Sequence, residues 1–415
     1  MATTYLSRTS GTPTDSKKTT LSVWLKRSGL GTGTFFGGGA DSNNMTFINF
    51  NPNGKIFLQS SSSGSNTLVF VTTQVFRDTS AWYHIVVAID TTQGTASNRV
   101  KLYVNGVQVT VFDTETQPSQ NLELEWNKSG KTLEIGKYLF QSTYSLYDGS
   151  MSYVSFVDGT QELPTVFGET DSTTGEWKIK TDITPSVAWG NNGFLILKNG
   201  NSLTDESSNS NNFTLGGGTL TETKDCPDNV FCVLNDLDTT RVLSNGNTTY
   251  AGDASGTVVK GTLGMLSGKY YAECKILSAA QNMIGVLSIA QAPTTVFVGA
   301  SAVGWGLFGD GTLYNNSSAT SNFSNSFSDN DIMGIALDMD NNKLYFSKNG
   351  VWQNSGDPTS GATGTGAVSI TSGLTMTFSG GRDSASDTAD FNFGNGTFGT
   401  TAIASAGTNA SNNGV

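Results

Sequence analysis

Val100-Lys101-Leu102-Tyr103-Val104-Asn105-Gly106-Val107 reads as a strand running into a tight turn. Val100, Leu102 and Val104 alternate with Lys101, Tyr103 and Asn105, the period of two that puts one set of side chains on each face of a pleated ribbon. Asn-Gly then supplies the positive φ angles that a two-residue hairpin needs. The text recurs far downstream as Lys343-Leu344-Tyr345-Phe346-Ser347-Lys348-Asn349-Gly350. Either duplication or repeated use of the same hairpin chemistry explains the echo.

The same grammar runs through the chain. Asn-Gly also occurs at Asn53, Asn192, Asn199, Asn245, Asn395 and Asn413, and Asp-Gly at Asp148, Asp158 and Asp310. Between these turns lie short alternating runs. Leu21, Val23 and Leu25 oppose Ser22, Trp24 and Lys26; Tyr270, Ala272, Cys274 and Ile276 form one face; so do Met333, Ile335, Leu337 and Met339. Each predicts a strand with one buried side. No long stretch carries a 3.6-residue period. The 415 residues include 49 Gly and only 14% charged residues. A chain of this length predicts two or three domains at roughly 100–200 residues each. The reading is all-β: two antiparallel β-sandwich modules of jelly-roll type, joined by an irregular connector. The expected limits are 1–160 for the first sandwich, 161–250 for a polar connector packed on its neighbours, 251–398 for the second sandwich and 399–415 for a flexible or truncated tail. Gly37-Gly38-Gly39 and Gly216-Gly217-Gly218 read as loops.

Charge and cysteine narrow the function. The balance is 23 basic against 34 acidic residues, −11 in all, with a pI of about 4.6. No basic stripe exists to neutralise phosphates, so nucleic acid is not an expected partner. Cys226, Cys232 and Cys274 are too few for a disulfide framework. A local Cys226–Cys232 bridge is the alternative to free thiols. No basic-then-apolar leader opens the chain and no apolar run is long enough to cross a bilayer, so the expectation is a protein made in a host cytoplasm without membrane insertion.

Particular residues carry a resemblance. Leu21 to Arg27, then Trp82-Tyr83-His84-Ile85-Val86-Val87-Ala88-Ile89-Asp90, the Val100–Val107 hairpin, Leu133-Glu134-Ile135-Gly136 and Gly149 to Gly159 together resemble a laminin-G-like, concanavalin A-like jelly roll over about 140 residues. Gly268 to Cys274, Ile284-Gly285-Val286, Gly304-Trp305-Gly306-Leu307, Asp331 to Asp338 and Lys343 to Trp352 resemble a SPRY-type sandwich over about 110 residues. The pairing of the two is similar to virion proteins of tailed phages, especially marine ones. The resemblance implies a surface-exposed structural protein of the particle, located at the virion surface, with other virion proteins as partners.

Enzyme chemistry finds little support in the residues. Concanavalin-type folds include glucanases, which need two carboxylates across one strand, spaced as Glu-x-Asp-x-(x)-Glu, for acid and nucleophile roles. The nearest case, Leu122-Glu123-Leu124-Glu125-Trp126, lacks the intervening Asp and reads as the solvated face of an edge strand. The one histidine, His84, lies in an apolar strand and reads as structural. Gly130-Lys131-Thr132 looks like the end of a phosphate loop, but Glu125 stands where its first Gly belongs. Asp338-Met339-Asp340-Asn341-Asn342 reads as a hairpin turn, since the sixth place holds no Gly and the twelfth is Asn349. No cofactor is expected. Laminin-G-like modules sometimes hold calcium at the rim, which would make Asp41, Asn43 and Asn44 its loop oxygens here.

Binding is the chemistry that remains. Sugars stack their axial hydrogens on aromatic faces and need fixed polar partners for their hydroxyls. Candidates with loop-like neighbours are Trp126, Asn127, Tyr144, Tyr147 and Asp148 in the first module. In the second they are Tyr314, Asn315, Asn316 and Trp352. The competing reading for each is packing. The expected function is a non-enzymatic virion protein: a tail-fibre or appendage adhesin binding a host-surface glycan or receptor, and homo-oligomeric. The alternatives are a head or tail decoration protein that locks neighbouring subunits and, further down, a glycan hydrolase.

Overall fold

The computed structural model describes residues 3–137, 146–252, 257–279, 281–292, 297–382, 384–404 and 407. Strands and a few single 3-10 turns make up its regular structure, with no α-helix among the described residues. None of its helices is long and apolar enough to cross a membrane. The chain divides into two compact units. Residues 1–222 and 226–228 form the first; 223–225 and 229–415 form the second. Residues 161–222 therefore belong to the first sandwich and 229–250 to the second.

The first unit is a sandwich of two antiparallel sheets. The larger runs in spatial order Phe112–Thr116, Ser65–Val75, Lys55–Ser62, Asn44–Phe50, Gly33–Asp41, Thr132–Ile135, Tyr5–Thr9, Thr214–Gly217. The smaller runs Phe194–Ile196, Gly149–Asp158, Lys18–Arg27, Trp82–Asp90, Val100–Val104, Val107–Gln108. Leu21, Val23, Leu25, Ile85, Val87 and Leu102 meet Phe36, Ile48, Leu58, Phe70 and Leu133 in the core between the sheets. Alternation places these residues there, as the sequence predicts.

Three expectations need correction. The smaller sheet buries both faces rather than one. Its outer side chains Val86, Ala88, Tyr103 and Val157 pack under Phe167, Ile183, Val187 and Trp189 from the supposed connector, which thus forms a third layer. Trp24, Trp82 and Ile179 make a second such cluster. Both glycine triplets lie largely in strands, not loops. A Cβ on Gly38 would sit 2.6 Å from the Leu133 side chain and 3.0 Å from Trp126 Cα, and one on Gly216 would sit 2.2 Å from the Tyr5 ring. These glycines are there for close approach. Finally, Leu122 to Trp126 is no edge strand: the chain turns at Asn121, whose φ is +65°, and Glu125–Asn127 form a 3-10 turn. Leu124 and Trp126 plug the core from that turn.

The second unit is another antiparallel sandwich. Its larger sheet runs Leu243–Ser244, Thr249–Tyr250, Thr388–Asn392, Lys269–Ser278, Ile332–Asp338, Lys343–Lys348, Val351–Trp352, with Val368–Ser369 also paired to Lys343–Lys348. The smaller runs Val259–Lys260, Met376–Gly380, Met283–Ser288, Gly304–Phe308, Leu313–Asn315, Ser318–Thr320. Ala272, Cys274, Ile276, Met333, Ile335 and Leu337 face Ile284, Val286, Leu307 and Phe378 across the core. Arg241 is wholly buried and pairs bidentately with Asp387, Nη1 to Oδ1 and Nη2 to Oδ2 at 3.0 Å each. Cys226, Cys232 and Cys274 form no disulfide among the described residues. Burial pushes the Cys274 thiol pKa well above its ordinary value.

The two echoing hairpins use one device. Asn105 and Gly106 have φ of +49° and +78°, Asn349 and Gly350 +49° and +80°. In the first, the Asn105 N–H donates to the His84 carbonyl while Asn105 Oδ1 accepts the His84 N–H, both at 2.8 Å. In the second, Asn349 makes the same pair of bonds with Ile332, at 2.7 and 2.9 Å. Each turn asparagine thus satisfies both polar backbone groups of one residue on the neighbouring strand.

Candidate binding site

The sequence candidates in the first unit divide by burial. Trp126 is 0% exposed, with its ring against Phe36 and Phe156. Asn127 is equally buried. Its Nδ2 donates to Asp158 Oδ1 at 2.8 Å, and its Oδ1 accepts from Asn192 Nδ2 at 3.1 Å. Asp158 also accepts the N–H groups of Thr14, Asp15 and Asn192. This cluster ties the first loop, the 3-10 turn and the third layer together. It is structural, and neither residue offers a surface to a ligand. Tyr147 is buried edge-on to Phe35, while Asp148 is exposed. Tyr144 lies outside the described residues. Glu125 is buried and ion-paired with Lys128 at 2.6 Å, and Glu123 is exposed and accepts from Ser16 Oγ. The two carboxylates do not share a strand face.

Asp41, Asn43 and Asn44 lie together on one exposed hairpin of the larger sheet. Asp41 Oδ1 accepts the N–H groups of Asn43 at 2.8 Å and Asn44 at 3.0 Å, which hold its carboxyl below the usual range. Asn44 Oδ1 accepts the Ser63 N–H. The Asp41 carboxylate and the Asn44 amide oxygen are thus engaged by hydrogen bonds within the hairpin.

His84 is a structural residue of unusual setting. It stacks on Trp24 at 4.6 Å with rings 10° apart, and on Trp177 at 6.0 Å and 16°. Trp177 Nε1 donates to Nδ1 at 3.0 Å. An indole N–H only donates, so Nδ1 accepts and Nε2 carries the proton, which it donates to Ser22 Oγ at 2.8 Å. Burial pushes the imidazole pKa down to about 3. A ring so enclosed is neutral at physiological pH and no general base.

In the second unit, Tyr314 is half-buried between Phe297 and Phe308, at 5.7 and 6.4 Å. Asn315 Nδ2 donates to the Gly304 carbonyl at 2.8 Å, and Asn316 forms the exposed turn with φ of +51°. Trp352 has a different setting. It lies half-buried on the outer face of the larger sheet and meets Tyr271 edge to face at 6.3 Å. Tyr271 is 49% exposed. Its ring reaches across the sheet above Gly334, where a Cβ would sit 2.6 Å from the phenol oxygen. The Tyr271 hydroxyl donates to Glu273 Oε1 at 2.9 Å. Burial, with Glu273 beside it, raises the phenol pKa. Tyr345, on the same face of the sheet, meets Trp352 edge to face at 6.4 Å. The result is an open aromatic corner beside a carboxylate. Tyr271 was not among the sequence candidates. Its signal was available: it alternates with the buried Ala272 and Cys274, so it had to face outward.

Comparison with known proteins agrees with this architecture. Residues 2–160 match the family described as the concanavalin A-like lectin/glucanases superfamily, and residues 269–394 match the SPRY domain. The chain carries one domain of each kind. The SPRY match spans Tyr271, Glu273, Gly334 and Trp352, and the concanavalin A-like match stops before the third layer that covers its outer face. No curated protein matches the chain. Similar solved structures include the SPRY domain of human HERC1, 17% identical, covering 36% of this chain and 91% of that one, with a TM-score of 0.29. A heptameric SAP-like pentraxin from Limulus polyphemus is 18% identical, with coverage of 38% and 71% and a TM-score of 0.30. The TRIM65 PSpry domain is 14% identical, with coverage of 39% and 91% and a TM-score of 0.32.

Proposed function

We propose that this chain is a non-catalytic recognition protein of a tailed-phage virion, an adhesin of a tail fibre or appendage that grips a host-surface glycan. The observation that carries the recognition part is the aromatic corner of Tyr271 and Trp352. A half-exposed phenol and an indole set edge to face give two walls for the apolar faces of pyranose rings, and Glu273 beside them accepts sugar hydroxyls. The missing side chain of Gly334 leaves room for the Tyr271 ring to lie across the sheet without being buried. The virion assignment rests on the order of the two modules. Purified protein is expected to bind host cells and to reduce phage adsorption in competition, with Trp352→Ala losing both effects. Protein that binds no host cell and leaves adsorption unchanged contradicts the adhesin.

One observation favours the decoration reading. Val75, Val107 and Val111 are all exposed, at or beside the outermost strands of the first unit's two sheets. Such an edge suits a contact with a neighbouring virion subunit. That reading predicts no cell binding and a particle less resistant to heat when the three valines become serine.

A further inference from the structure

We infer that Asn199-Gly200 is a modification site, where the folded chain converts its own asparagine to aspartate and iso-aspartate. Asn-Gly favours this chemistry because glycine has no side chain to hinder attack by its own backbone nitrogen. The Gly200 nitrogen bonds to Asn199 Cγ and gives up its proton. The bond from Cγ to the side-chain nitrogen breaks, so ammonia leaves and a cyclic imide remains. Water then opens the imide at either carbonyl. One product is aspartate; in the other the main chain runs through the former side-chain carbonyl. The attack needs a side-chain amide that can swing onto the next residue and a backbone N–H that nothing holds.

The fold denies one or both to every other Asn-Gly pair of the described residues. The Gly54 N–H donates to the Asn51 carbonyl at 2.9 Å. Asn105 Oδ1 holds the His84 N–H, and Asn349 Oδ1 holds that of Ile332 while its Nδ2 donates to Asp331 at 2.7 Å. Asn192 is buried, and its Nδ2 donates to the Gly11 carbonyl and to Asn127 Oδ1, at 3.1 Å each. Asn245 Nδ2 donates to Thr249 Oγ1 at 2.9 Å. Asn395 bonds the Phe393 N–H and Thr397 Oγ1 at 3.0 Å each, and the Gly396 N–H donates to Asn392 Oδ1. Asn413 lies outside the described residues. Asn199 differs. It follows the strand Phe194–Ile196 in an exposed turn, and neither its side-chain amide nor the Gly200 N–H is hydrogen-bonded among the described residues. Its carbonyl accepts the Ser202 N–H at 3.3 Å, which leaves both attacking and attacked groups untouched.

The position gives the conversion a consequence. A Cβ on Gly200 would sit 2.6 Å from Glu222 Cδ, so the Glu222 carboxylate lies against this turn. Asn201 Nδ2 donates to the Leu220 carbonyl at 3.2 Å and ties the turn to the same segment. Conversion sets a second carboxylate beside the first, and like charges at that range repel. The turn then loosens from residues 220–222. The site is assigned from the first unit alone and stands whether or not the aromatic corner binds.

The test is to hold the full folded chain at pH 8, sample it over weeks and map its peptides by mass spectrometry against a zero-time digest. Position 199 is expected to convert at least tenfold faster than positions 53, 105, 192, 245, 349 and 395. In the chain unfolded in guanidinium chloride, those six are expected to come within a few-fold of position 199. An intact position 199, another of the six converting as fast in the folded chain, or a gap that persists on unfolding each overturns the assignment. The loosening is read by hydrogen exchange. Asn199→Asp is expected to exchange at least threefold faster across residues 197–222 than Asn199→Ser, which removes the amide without adding charge. Equal exchange in the two variants overturns the charge effect.

Discussion

His84 shows how much one side chain depends on what lies on both sides of it. Trp24 comes from the same sheet, but Trp177 arrives from the third layer, and together they exclude water from the ring. The depressed pKa then has a consequence for stability. The unfolded chain takes up a proton as pH falls below about 6.5, while the folded imidazole stays neutral down to about 3. Stability is therefore lost on acidification through that window, by up to about 1.4 kcal/mol per pH unit from this residue. His84→Gln is expected to flatten that part of the profile in denaturant titrations between pH 6.5 and 4. An unchanged slope would show that the ring titrates freely. Arg241 gives a matching prediction in the second unit. Replacing it by Met leaves the Asp387 carboxylate buried without its partner, at a cost of about 3–5 kcal/mol, visible as a lower melting temperature for that unit's transition.

Among elements, the hairpins were the most legible part of the chain, and the reason is local. Asn105-Gly106 and Asn349-Gly350 need positive φ at both positions, and few residue pairs allow it. Gly106 has a second constraint. A Cβ there would lie 2.5 Å from the Trp177 ring, so Gly106→Ala both strains the turn and lifts the third layer. A loss of more than about 1 kcal/mol is expected, measured by chemical denaturation, whereas Gly350→Ala meets no neighbour and is expected to cost less. Burial of long-range partners was not legible. Trp126-Asn127 carries the composition of an exposed binding loop, yet the 3-10 turn drives the indole into the core and the amide onto Asp158. Nothing near it in sequence announces Gly38, whose missing side chain opens the space. The outward face of Tyr271 was readable from alternation, but its nearness to Trp352 follows only from how four strands are ordered in the sheet.

At the scale of the whole molecule, two sandwiches were legible from pattern, whereas the role of residues 161–222 was not. Its short apolar runs mark a segment packed on its neighbours, but nothing local says that it covers the outer face of the first unit's smaller sheet. The layer matters energetically, because without it Val86, Ala88, Tyr103 and Val157 would face water on the outer sheet. A fragment of residues 1–160 is accordingly expected to aggregate or melt far below one of 1–228, which scanning calorimetry of the two fragments would show. The central claim is that this frame holds an aromatic corner for sugar recognition. The most direct measurement is a glycan array probed with the labelled full chain beside Tyr271→Ala and Trp352→Ala variants of unchanged melting temperature. The account predicts a defined set of bound glycans, each weakened at least tenfold by either substitution. Glycan binding that survives both substitutions, or a folded wild-type chain that binds no glycan at all, would contradict it.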